Sequence, residues 1–261
     1  LPLILKKTAY LDNNILIDIE QGLISIDDLR NNIDENITEF YYSSAHLQEA
    51  NEMTAKTDVE LKNRLEKRFA TISLVTNNNY ITQELPSNKV FSQIENPKTV
   101  YNTIKDVTST QSAIKAMLNT ISEEQKNDFR ERMEIDSKLM NNYSPKEVIE
   151  QVNTRSEALG GLSLVGMIEN GVNLHPQGKE MGMGNRFAGV FELLDLIGYW
   201  KDKYNSKSNY ARLWDASHSF YSSYFDYFVS DDKRTRNKAK VAFEIYGAKT
   251  QVVSSKDTKK K

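Results

Sequence analysis

Near both ends of the chain, short apolar runs give way to stretches whose apolar positions recur every three or four residues. That alternation is the pattern of strand followed by helix. Thr8 to Leu11 reads as a buried strand. Asp12, Asn13 and Asn14 then offer capping side chains to a helix carrying Ile15, Leu16 and Ile19, with Gly22 as its stop. Glu39 to Tyr42 reads as a second strand, after which Ser43 or Ser44 caps a helix beginning AHLQEANEM. Near the C-terminus a helix runs from Asp215, Tyr227 to Ser230 forms a strand and Lys233 to Tyr246 a helix. Gly247 stops that helix before the strand Thr250 to Val253. Strands separated by helices imply parallel pairing, with both faces of the sheet covered.

Between these regions the pattern changes. From Val59 to about Asn209, long polar helical stretches such as ELKNRLEKRFATISLV and SAIKAMLNTISEEQKNDFRERMEIDSKLM dominate, with few strand signals. They read as a helical insertion or cap. Pro86 and Pro97 mark Asn79 to Pro97 as a loop between two helical blocks. Most of the 11 glycines fall between Gly160 and Gly189, ahead of the apolar helix FAGVFELLDLIGYW. MGMGN, within that stretch, lacks the Gly-Lys-Ser/Thr of a phosphate-binding loop and reads as structural or as a mobile lid.

Composition narrows the chemistry. A chain of 261 residues, 39% hydrophobic and 27% charged, can bury a real core and is not a disordered tract. With no cysteine, disulfides and thiolate zinc sites are excluded, which leaves carboxylates and histidines as metal ligands. No apolar run approaches the roughly 20 residues that span a bilayer. LPLIL is too short for a signal core, so the cytoplasm is expected, with no membrane partner. A net charge of −2 does not advertise a nucleic-acid binder. Lys233, Arg234, Arg236, Lys238 and Lys240 nevertheless follow an acid pair closely. They form either a solvated helix face or one that contacts phosphates.

The candidate chemistry lies in acids at strand ends. Ligands of parallel sheets collect beyond the carboxyl ends of the strands, where Asp12 and the pair Asp231-Asp232 fall. Asp226 falls at the far end of its strand and reads as structural. His46 and Glu49, and Asp215 and His218, each share a helix face three residues apart. The acids would serve as ligands, the histidines as phosphate contacts or supporting donors. The competing reading makes Asp12 and Asp232 simple helix caps. A di-iron bundle would need Glu-x-x-His on two helices, and neither pair has that order.

At these residues the chain resembles the PIN-domain nucleases. YLDNNILIDI is similar to the family's first motif, YYSSAHLQEA to the segment with its helical glutamate, and FVSDDKR to the strand ending in Thr/Ser-x-Asp. The resemblance covers roughly residues 8 to 55 and 190 to 254. It implies an α/β, three-layer Rossmann-like PIN fold with a central parallel sheet: a first part at 1–57, a helical insertion at 58–189, a second part at 190–254 and a disordered tail at 255–261. It also implies Mg²⁺ or Mn²⁺ held by Asp12, Glu49, Asp215 and Asp232, with Glu52 or Glu192 as alternatives to Glu49. Asn13, His46, His218, Ser230, Asp231, Lys233 and Arg234 would support the site or contact phosphate. The implied activity is endonucleolytic cleavage of single-stranded RNA, as a toxin, a processing factor or a defence effector, open to a regulatory protein partner or to homo-oligomerisation. Two rivals stand beside it: a catalytically silent interaction module and a structure-specific DNA nuclease.

Overall fold

Ala9, Tyr10 and Leu11 are wholly buried, and their side chains alternate between two apolar layers, so KTAYL (Lys7–Leu11) can only be an interior strand, β1. It is central to a computed structural model that describes residues 6–85, 87–105, 121–174, 182–203 and 206–257. The other strands are β2 (Ile37–Ser43), β3 (Asn79–Glu84), β4 (Lys89–Ile94), β5 (Tyr227–Val229) and β6 (Gln251–Val253). They form one six-stranded sheet in the order β4-β3-β2-β1-β5-β6. β1 pairs parallel with β2 on one side and β5 on the other; β2–β3 and β5–β6 are also parallel.

The sheet is not purely parallel as expected. β4 runs antiparallel to β3, with Asn79 opposite Ile94 and Glu84 opposite Lys89. The stretch expected as a loop is therefore a hairpin, whose connection at 85–88 is too short for a crossover and so forces the chain to reverse. Asn88 turns with φ 59°.

One face of the sheet is covered by α1 (Asn13–Glu20), α2 (Ile26–Asn32), α3 (Ser44–Ala50), α4 (Asp58–Thr76) and α5 (Pro97–Ile104). They bury Ile15, Leu16, Leu29, Leu47, Phe69, Ile72 and Val100 with Leu11, Phe40 and Val229. The other carries α7 (Ser137–Met140), α8 (Pro145–Asn153), α9 (Leu164–Leu174), α10 (Gly182–Leu196), α11 (Ser206–Ser222) and α12 (Lys233–Tyr246), packed on Tyr10, Ile81 and Phe228. α6 (Glu123–Arg132) adds its side chains to α10.

The expected insertion at 58–189 therefore changes character. Its first part, through α5, belongs to the sheet and one covering layer, and its last helices form the opposite layer together with α11 and α12. The long helix expected across 112–140 is interrupted at 133–136 between α6 and α7; its start at 112–120 lies outside the described residues, as do Pro86 and Met181. Gly198, at φ 85°, ends α10 where an added Cβ would sit 2.4 Å from the Cβ of Ser137. The tail expected from Ser255 begins later, since Ser255 is buried and bonded to Asp231; residues 258–261 lie outside the described residues. Among the described residues no helix is long and apolar enough to cross a membrane.

A buried ion network joins the second layer. Asp195 on α10 meets Lys126 of α6 at 2.6 Å, Arg212 of α11 at 3.3 Å and Lys238 of α12 at 3.9 Å. Arg212 also grips Glu192 through two bonds of 2.8 Å, and Lys238 meets Asp202 at 2.8 Å. Burial alone would raise the Asp195 pKa, but Arg212, Lys238 and Lys126 outweigh it and hold the carboxyl below its ordinary range. Its contribution to stability is therefore complete above the unfolded carboxyl pKa and is lost as pH falls through the lowered folded value. Asp195→Ala leaves three cations short of a buried partner. Urea unfolding at neutral pH should show a loss of about 3–5 kcal/mol, and a loss under 1 kcal/mol would mean that water reaches the network.

Candidate functional site

Asp12 follows β1 and caps α1, its carboxylate accepting the Asn13 N–H at 2.7 Å. The backbone N–H of Asp12 still reaches across to the Val229 carbonyl at 2.8 Å, which carries the β1–β5 pairing one residue past the strand. Ser230, after β5, donates its hydroxyl to the other Asp12 oxygen at 2.5 Å, and Asn14 donates to the same oxygen at 2.8 Å. β2 and β5 lie on opposite sides of β1, so this is where the sheet's connections change direction and a crevice opens beyond the strand ends.

Glu49 arrives from α3. Asn13 donates its amide to Glu49, and the Asn13 carbonyl accepts from Arg68 of α4 at 3.0 Å, while Arg68 pairs with Glu20 at 2.7 Å. On the far side, His218 Nε2 lies 3.4 Å from Glu49 Oε1. Of the three acids open to the helical position, Glu49 is the one at this site. Glu192 is held by Arg212, and Glu52 lies against Tyr210, whose pKa is raised by burial first and then by Glu52.

Asp215 extends from α11, half-buried, and Asp232 caps α12 by accepting the N–H groups of Arg234 and Thr235 at 2.6 and 3.1 Å. Capping and site membership therefore coexist in Asp12 and Asp232. Burial pushes the Asp215 pKa well above the carboxylate range, and the negative charges of Asp12, Glu49, Asp232 and Asp202 push it further. Asp12 is raised too, by burial and by Glu49 against the pull of His218. Among the described residues the Asp215 carboxylate has neither a hydrogen bond nor a cation within ion-pair reach.

Beneath the acids lies a buried polar chain. The Tyr10 hydroxyl is 2.6 Å from Ser43 Oγ, 2.8 Å from His218 Nδ1 and 3.4 Å from His46 Nδ1. His46 Nε2 faces the Leu11 carbonyl at 2.8 Å, an acceptor, so that nitrogen carries the proton; Nδ1 accepts the Ser43 N–H at 3.1 Å. Burial first, then the neighbouring His218, lowers the His46 pKa well below the ordinary value, in keeping with a neutral ring. Burial also disfavours charge on His218, but Glu49 and Asp12 outweigh it and raise its pKa.

Several expected roles need correction. His46 and His218 are both fully buried, which leaves the supporting role of the two expected: His218 lies against Glu49, and His46 bonds the Leu11 carbonyl and the Ser43 N–H. Asp231 turns away from the crevice, accepting from Ser254 Oγ at 2.6 Å, Ser255 N–H at 2.9 Å and Ser255 Oγ at 2.7 Å, and so anchors the segment after β6. The basic run divides. Lys238 is buried on Asp202, Arg236 donates to the Ser230 carbonyl at 2.6 Å, and Lys233, Arg234 and Lys240 remain exposed. Lys233 lies 4.5 Å from the centre of the Trp200 ring. Asp226 is structural as expected, accepting from Lys7 Nζ at 2.8 Å and the Thr8 N–H at 2.9 Å.

Sequence reasoning missed Tyr10 and Arg68, and read Asn14 and Ser43 only as caps. A tyrosine inside a buried strand was the one available signal, since a hydroxyl there must find a partner. Arg68, on an amphipathic helix, gave none.

The acids are right in kind and in charge for a hard divalent ion, which binds through oxygen. As they stand, however, no group of three or more His, Asp or Glu side chains among the described residues is close enough together to hold a metal ion. Comparisons with protein-family models, curated proteins and solved structures returned no match for this chain.

Tyr10→Phe keeps the ring packing but strips the hydroxyl from Ser43 and His218. It should cost about 1–3 kcal/mol in urea unfolding, because both partners stay buried. An unchanged midpoint would show that the chain closes without Tyr10.

Proposed function

We propose that this chain is a PIN-like, metal-dependent endoribonuclease acting on single-stranded RNA, with Asp12, Glu49, Asp215 and Asp232 as its carboxylates. The observation that carries this reading is the Asp215 carboxylate, which has no counter-cation among the described residues and whose charge is opposed by Asp12, Glu49 and Asp232 near the crevice beyond β1 and β5. Acids drawn together without a cation raise each other's pKa, and a bound cation reverses that cost. The sequence resemblance around Asp12, Asp215 and Ser230-x-Asp232 supports the same assignment.

Mg²⁺ or Mn²⁺, when bound, would supply a more acidic water and positive charge for the phosphodiester oxygens. The residues of the chain do the rest. Ser230 and Asn14 fix the Asp12 carboxylate through hydrogen bonds to one oxygen, leaving Asn13 N–H on the other. Asn13 and His218 hold Glu49 from two sides. Lys233 and Arg234, exposed at the start of α12 beside Asp232, would meet phosphates flanking the scissile bond.

The test is cleavage of a mixed panel of single-stranded RNA and DNA with Mg²⁺ or Mn²⁺. Asp12→Asn and Asp215→Asn should each lower RNA cutting at least about a hundredfold, as expected for loss of a group aimed at the reacting centre. Asp226→Asn, at the far end of β5, should cut normally. Wild-type protein that neither cuts RNA nor takes up either ion in calorimetry would refute the proposal, and a preference for branched DNA would replace the substrate.

A further inference from the structure

The sheet ends at β4, and β4 is unlike the other strands. Five of its six residues are exposed, among them Phe91 at 36% and Ile94 at 70%. Among the described residues no strand pairs with its outer side. The sequence KVFSQI contains no proline, and its one charge is at the end, so it lacks the usual devices that keep an exposed edge from pairing.

The pairing with β3 fixes which backbone groups are free. Glu95 donates its N–H to the Asn78 carbonyl at 2.9 Å, so residue 95 points its backbone toward β3. Directions alternate along an antiparallel strand, so 93, 91 and 89 also point inward, while Val90, Ser92 and Ile94 present N–H and C=O outward. A second β4 laid antiparallel about a two-fold axis through Ser92 places Val90 opposite Ile94 and Ser92 opposite Ser92. All three outward residues then meet outward residues. The same register sets Lys89 opposite Glu95 and Phe91 opposite Gln93 at the closely spaced, non-hydrogen-bonded positions, where side chains interact most. Shifting the axis leaves at least one outward residue without a partner inside the strand and separates Lys89 from Glu95.

We propose that β4 is the interface of a two-fold homodimer, in which two sheets join edge to edge about Ser92 with Lys89 of each copy paired to Glu95 of the other. The self-complementary charge, Lys89 at the start of β4 and Glu95 just past its end, is what selects a second copy as the occupant, since an isologous contact needs each residue to face its counterpart's partner. The joined sheet buries Phe91 and Ile94 that one copy leaves in water.

Sedimentation equilibrium of the full chain decides it. The wild type should show a concentration-dependent dimer. Ser92→Pro removes an outward N–H that β3 does not use, and should raise the dissociation constant at least about tenfold, with the far-UV spectrum and melting temperature showing an intact fold. Lys89→Glu and Glu95→Lys should each weaken the dimer by about threefold to tenfold, and the two together should restore it. A wild type monomeric throughout the accessible concentrations overturns the proposal. So does a dimer insensitive to Ser92→Pro, or charge reversals that weaken it without mutual rescue.

Discussion

The parallel pairing of β5 with β1 is the constraint on which the site depends. Val229 accepts the Asp12 N–H, and that single register decision brings a loop more than two hundred positions away along the chain against the first strand. Ser230 is then placed to donate to Asp12, Asp232 to begin α12 at the crevice, and Asp231, one residue earlier and facing the other way, to anchor the end of the chain. A slip of one residue would reverse these three directions. Adjacent acids thus take opposite tasks: Asp231 bonds the segment after β6 while Asp232 caps α12.

Charge is arranged in two zones that α11 joins. Arg212 lies one turn before Asp215 on that helix and belongs to the buried network of Lys126, Asp195, Asp202 and Lys238, where both signs are present and closely paired. Asp215 faces the crevice, where negative charge prevails. Asp202 is held by Lys238 and Arg212, yet its charge still reaches Asp215. The helical layer therefore does more than cover the sheet, since its ion pairs set the position of the helix that delivers Asp215.

Much of this could be read along the chain, and the failures share a cause. β1, β2, β5 and β6, α1, α3 and α12 follow from apolar period and capping residues; Asp12 and Asp232 were read from strand ends, and Glu49 and Asp215 from their spacing to a histidine on a helix face. The β3–β4 hairpin was missed because neither strand shows an alternation to read: in NYITQE the two buried residues, Tyr80 and Ile81, are adjacent and face opposite layers, and KVFSQI is largely exposed. The helices after α5 read as a separate insertion because amphipathicity says that one face is buried but not against what. Which of the two roles open to His46 and His218 they take was hidden for a related reason. Spacing places a histidine on the same face as an acid, whereas its burial and its partner Tyr10 are set by a strand far away in sequence.

Gly198 carries a further consequence. With the Cβ of Ser137 so near and its own φ positive, the position admits no side chain without moving one helix or the other. Arg130 fills the remaining space, donating to the carbonyls of Asp195 and Leu196 at the end of α10. The end of α10 is thus sealed by an arginine and not by solvent, and the missing methyl group at residue 198 is what lets it approach. A residue with no chemistry of its own so sets how closely the middle of the chain can be drawn onto the fold, and with it whether Asp195 and Lys126 can meet at all.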